Sequence, residues 1–115
     1  MTQADKELLL KDLCARLPYG VKVKFGDSEP APLTVIEHDE FGWQIGFEDE
    51  FGGMVTIVDN IKPYLFPMSK VVEEIVTTSN KHIAVNVDFF HKNHIDYRGL
   101  IEKGLANDAT GLNIY

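Results

Sequence analysis

Val21-Lys22-Val23-Lys24-Phe25 and Trp43-Gln44-Ile45-Gly46-Phe47-Glu48 decide the fold, because in both segments the apolar side chains fall on every second residue. A period of two puts Val21, Val23 and Phe25 on one face of an extended chain and Lys22 and Lys24 on the other, the pattern of a strand with one buried face. Leu33 to Ile36 and Met54 to Val58 add two further segments rich in β-branched residues. The separators, Gly26-Asp27-Ser28-Glu29-Pro30, His38-Asp39-Glu40 and Glu48-Asp49-Glu50-Phe51-Gly52-Gly53, carry turn residues. Four short strands joined by hairpins predict an antiparallel meander that curls into a small SH3-like half-barrel. In such a fold Trp43, Ile45 and Phe47 face the core together with Val21, Val23 and Phe25.

Upstream of the meander the period changes. Thr2 suits the cap of a helix over residues 2–17, in which Leu10, Leu13, Cys14 and Leu17 form an i, i+3, i+4, i+7 stripe before Pro18 and Gly20 stop it. This helix is expected to cross one open edge of the half-barrel. Cys14 sits on the stripe and reads as a small buried hydrophobe rather than a reactive thiolate.

Downstream, Pro63 and Pro67 remove two backbone donors around Tyr64-Leu65-Phe66, which predicts a connector rather than an interior strand. Ser69 suits the cap of a second helix carrying Val71, Val72, Ile75 and Val76, with residues 77–80 ending it. Residues 81–93 fit two periods. Ile83, Val85, Val87 and Phe89 alternate as in a strand, whereas Ile83, Ala84, Val87 and Phe90 share a helical face; the alternation collapses at Phe89-Phe90, which favours a helix. Asp96 suits the cap of a last short turn through Leu100 to Lys103, with Gly104 as its stop. The expected architecture is therefore α+β in a single domain spanning 1–115: an N-terminal helix, the four-stranded meander, then two or three short C-terminal helices.

Composition narrows the functions. The chain has 115 residues, 18 acidic against 11 basic, and a formal charge of −7, which repels phosphate backbones and argues against direct binding of nucleic acid. The longest apolar run, Leu8-Leu9-Leu10, falls far short of a membrane span. The first residues lack the pattern of a signal peptide, and the lone Cys14 permits no internal disulfide. A cytoplasmic protein is expected.

Few residues present themselves for chemistry. Asp88, His91 and His94 are the best metal candidates, but positions i and i+6 of a helix point about 240° apart, so all three cannot share an ion, and they are expected to be solvated at a helix end. His38 and His82 are isolated. Glu37, Asp39, Glu40, Glu48, Asp49 and Glu50 gather at two hairpin ends, either as charged turns that keep strand edges soluble or as an acidic patch imitating nucleic-acid phosphates. No Ser-His-Asp grouping, phosphate-binding glycine pattern or cofactor motif is present, and no cofactor is expected. Lys62 beside Tyr64, and Arg98 beside Tyr97, pair a charge with a large ring in the manner of protein contact surfaces.

Three stretches are distinctive: Lys11 to Val21, Ile61 to Ser69, and Asn93 to Ala106. They resemble a group of short uncharacterised proteins of Bacteroides and related gut bacteria, often associated with prophage-like or conjugative elements. The resemblance covers about a third of the chain, implies a bacterial cytoplasm and a helix before Asp96, and carries over no catalytic residue; the stretch between the second and third motifs is short compared with that group. The expected function is a non-enzymatic module that docks on an unidentified protein partner. The alternatives are an acidic nucleic-acid mimic that occupies a basic protein, and a small enzyme without a recognisable motif.

Overall fold

A computed structural model describes residues 2–26, 29–40, 42–49, 52–68 and 87–115. Helix α1 spans Gln3–Arg16 and opens on a reciprocal cap: the Thr2 hydroxyl accepts from Asp5 N at 3.1 Å while the Asp5 carboxylate accepts from Thr2 N at 3.3 Å. A 3₁₀ turn at Leu17–Tyr19 ends on Gly20, whose φ of 71° is accessible to glycine at little cost. Strands β1 (Lys22–Phe25), β2 (Ala31–Asp39), β3 (Gly42–Asp49) and β4 (Gly52–Thr56) follow as an antiparallel meander, as their alternation predicts. A 3₁₀ turn at Val58–Asn60 leads into β5 (Ile61–Pro67), and helix α2 (Val87–Lys92) precedes the short strands β6 (Ile95–Asp96) and β7 (Asn107–Asp108).

The half-barrel is not what forms. The sheet has seven strands in the order β4-β3-β2-β1-β5-β6, with β7 also paired to β5, and α2 is the only α-helix after α1 among the described residues. The difference begins at β5, where the prolines predict a connector. Phe66 N donates to the His94 carbonyl on the β6 side, whereas the Leu65 carbonyl accepts from Ala109 N on the β7 side. Successive backbone groups of a strand point in opposite directions, so the nitrogens of Pro63 and Pro67 both face the β7 side. Neither proline subtracts a donor from the pairing with β1, where Val23 lies opposite Pro63, or with β6. β5 is thus an interior strand, and it recruits β6 and β7 in parallel. The expected helix from Ser69 to Val76, and residues 81–86 of the next one, lie outside the described residues.

One core lies between α1 and the sheet: Leu9, Leu10 and Leu13 pack with Val21, Val23, Leu33, Ile45, Phe47, Ile61, Leu65 and Leu100. The buried face of α1 differs from the expected stripe, since Leu9, Asp12 and Arg16 are on it while Cys14 is exposed. Cys14 is therefore no core hydrophobe; partial burial still raises its thiol pKa, which keeps the thiolate scarce.

Trp43 also departs from expectation. It shares a strand face with Ile45 and Phe47, but the row of Ile36 opposite Ile45 is the last that the core covers, and the next pair, His38 opposite Trp43, projects beyond it. Trp43 is 44% exposed and meets the His38 ring edge-on at 4.8 Å. Trp43→Ala should consequently cost about 1 kcal/mol or less in urea unfolding, against the ~3–5 kcal/mol of a buried tryptophan. A loss above 2 kcal/mol would place Trp43 in the core after all.

Candidate functional site

Three of the residues that sequence reasoning marks, His91, Tyr97 and Arg98, help to hold the C-terminal part on α1. Asp12 and Arg16 stand four residues apart on α1, fully buried, with Arg16 Nε 2.7 Å from Asp12 Oδ2. Asp12 Oδ1 accepts from Arg98 Nε at 3.1 Å. The rest of the Arg16 guanidinium donates to the carbonyls of Phe90 and Ile95. Tyr97 lies beneath both arginines, its ring 4.7 Å from the Arg98 guanidinium carbon and 5.8 Å from that of Arg16. It also stacks on Phe90, with its hydroxyl 2.8 Å from His91 Nε2. Asp96 accepts from the backbone N–H groups of Leu100 and Ile101 at 2.8 and 2.9 Å, capping the turn that Gly104 closes.

His91 and His94 are buried rather than solvated, which corrects their expected place at the surface. His94 has a φ of 57° and its ring stacks on Tyr115 at 3.9 Å. Burial, assisted by the nearby Arg16 charge, lowers its pKa to about 4. The Tyr115 hydroxyl in turn accepts from Lys22 N at 2.8 Å and donates to the Tyr64 carbonyl at 2.8 Å, wedging between β1 and β5. No group of three or more metal-ligating side chains occurs among the described residues, and the Asp88 side chain lies outside them.

Of the four residues expected to form a contact surface, Tyr64 is buried, and Tyr97 and Arg98 are engaged in the Asp12 network. Lys62 alone is exposed, on the wall of a separate cavity. They do not make one exposed patch.

Two exposed apolar side chains, Val35 and Val55, lie on the outward face of β2, β3 and β4. The pairing sets Val35 opposite Gly46 and Gly46 opposite Val55, one row across three strands. Gly46 cannot carry a side chain, because a Cβ there would collide with Cγ1 of Val35, which leans across it. Val35 is 37% exposed and Val55 63%. Side chains alternate between faces, so Glu37 opposite Gln44 flanks this row on one side and Glu48 opposite Gly53 flanks it on the other. Both glutamates are exposed, and neither is ion-paired among the described residues. β4 ends the strand order and contains neither charge nor proline, the features that usually protect an edge. Sequence reasoning missed the row, although a signal was present: Met54-Val55 breaks the alternation, so one of the two had to face outward.

Comparison with protein-family models, with curated proteins and with solved structures found no match. The function must be argued from the geometry. Among the described residues, no helix is long and apolar enough to cross a membrane.

Proposed function

We propose that the chain is a non-enzymatic protein-interaction module of a bacterial cytoplasm, or of a mobile element within it, and that it docks an extended basic segment of its partner on the β2–β3–β4 face. One observation carries this: the exposed Val35 and Val55, in one row on either side of Gly46, lie between two carboxylates, Glu37 and Glu48, at the end of the sheet where β4 has no partner strand among the described residues. An apolar row favours contact with another protein, an edge strand offers backbone groups for strand addition, and exposed carboxylates on either side select a segment with Lys or Arg flanking an apolar centre. The lone cysteine and the resemblance to short bacterial proteins support the setting. The apolar row favours docking over imitation of nucleic acid, because a phosphate mimic needs continuous charge there.

The test uses an eight-residue peptide alternating Lys with Leu and its counterpart alternating Glu with Leu, followed by the fluorescence of Trp43. The basic peptide should bind saturably, lose affinity with added salt, and bind at least tenfold more weakly to the Glu37→Lys, Glu48→Lys double variant. Equal binding of both peptides, or self-association through β4 without peptide binding, would overturn the proposal.

A further inference from the structure

A second site lies on the opposite side of the strand order, where β1 meets β5. A cavity of about 510 Å³ opens there, lined by Lys24, Phe25, Gly26, Asp59, Asn60, Lys62 and Asn107. The β1–β5 register sets Lys24 directly opposite Lys62. Facing residues of a strand pair have Cβ atoms only ~5 Å apart, so two like charges there repel and weaken the sheet. Neither lysine is ion-paired among the described residues, although the chain carries 18 acidic side chains that could have supplied a partner. The one carboxylate among the described lining residues, Asp59, is already held by Lys6 at 3.1 Å. Asn107 adds a further donor to this wall, since its Nδ2 is buried with no acceptor.

We propose that this cavity binds a small phosphate monoester. Two ammonium groups side by side match the dianion, and lysine serves as a point charge for phosphate without needing the planar geometry that arginine imposes. An amide N–H without an acceptor adds a third donor to a phosphate oxygen once the ligand settles against it. The volume is that of a small-molecule pocket, well beyond a bare phosphate. Phe25 offers an apolar wall for the organic part, and the polar groups of Asn60 suit its hydroxyls. The bound dianion would also neutralise the repulsion between Lys24 and Lys62, so the unfavourable pairing in the empty protein becomes a favourable one in the complex. This site shares no residue with the β2–β3–β4 face.

The experiment titrates the full chain with ribose 5-phosphate, following backbone amide signals of Lys24, Phe25 and Asn107 by NMR, with ribose, inorganic phosphate and succinate as comparators. Ribose 5-phosphate should bind saturably and raise Tm; ribose should not bind, and inorganic phosphate and succinate should bind at least tenfold more weakly. Lys24→Gln and Lys62→Gln should each weaken ribose 5-phosphate at least tenfold, while Lys24→Arg stays within a few-fold of the parent. Without ligand, Lys62→Gln should melt no lower than the parent, because it removes a repulsion. Absence of saturable binding, succinate or inorganic phosphate binding as tightly as the ester, unchanged affinity in both glutamine variants, or a lower melting temperature for unliganded Lys62→Gln would each overturn the proposal.

Discussion

Asp12→Ala should destabilise the protein by about 3–5 kcal/mol, a large part of the ~5–15 kcal/mol that a single domain possesses. The reason is the company Asp12 keeps. Its two carboxylate oxygens face two guanidinium groups, Arg16 at 2.7 Å and Arg98 at 3.1 Å, and both Asp12 and Arg16 are fully buried. Alanine would leave the Arg16 charge in the interior without a carboxylate, facing the carbonyls of Phe90 and Ile95 and the Tyr97 ring. An uncompensated buried charge costs far more than the pair contributes when both members are present. The double variant Asp12→Leu, Arg16→Met should therefore recover part of the loss. Recovery stays incomplete, because the two carbonyls lose their donor and Arg98 loses its acceptor. Urea unfolding of Asp12→Leu, of Arg16→Met and of the double variant that combines them gives the coupling between the residues. If Asp12→Ala unfolds at the parent's midpoint, or if the single effects simply add, the pair does not anchor the C-terminal segment to α1.

This network shows why part of the molecule was legible in the sequence and part was not. Local signals spoke correctly where a single period governed them: the alternation of Val21 to Phe25 and of Trp43 to Phe47 yields β1 and β3, and the Thr2 and Asp96 caps sit where their side chains predict. The failures share a physical form, since each required knowledge of a neighbour distant in the chain. Asp12 and Arg16 fall off the Leu10-Leu13-Cys14-Leu17 stripe, and groups more than seventy residues away, the carbonyls of Phe90 and Ile95 among them, make that side an interior. The turn of α1 that this implies moves Leu9 into the core and Cys14 out of it. Pro63 reads as a strand breaker until β1 is known to lie on the face of β5 that proline leaves intact. With β5 unread, the pairing of Lys24 with Lys62 could not be foreseen, although both lysines were in plain view. The outward row on β2–β4 was closer to reach, because the consecutive Met54-Val55 disturbs the alternation.

Lowering the pH from 7 to 5 should remove about 2 kcal/mol of stability through His94 alone. The ring is buried against Tyr115, and burial first, then the Arg16 charge, lowers its pKa to about 4, whereas the unfolded chain titrates near the ordinary 6.5. Between those values the unfolded state takes up a proton that the native state refuses. Stability is thus complete above pH 6.5 and is lost as the pH falls toward 4, at about 1.4 kcal/mol per pH unit and about 3 kcal/mol in all. The upper half of this window lies above the range in which most carboxylates titrate, so the slope between pH 6.5 and 5 isolates histidine. His94→Asn is the informative variant, because asparagine tolerates the positive φ of 57° and carries no titrating group. It should be less stable than the parent at pH 7, having lost the stacked ring, yet nearly flat from pH 6.5 to 5, so that the two stability curves converge toward acid. The convergence has a structural counterpart. Protonating His94 places a charge beside Arg16 and under the Tyr115 ring, whose hydroxyl bridges Lys22 and Tyr64. Hydrogen exchange at Lys22, which donates to that hydroxyl, should accelerate on acidification relative to core amides such as Ile45, once the intrinsic pH dependence of exchange is divided out. Parallel stability curves for parent and variant, with no selective opening at Lys22, would show that His94 ionises in the native protein as freely as it does in the unfolded chain.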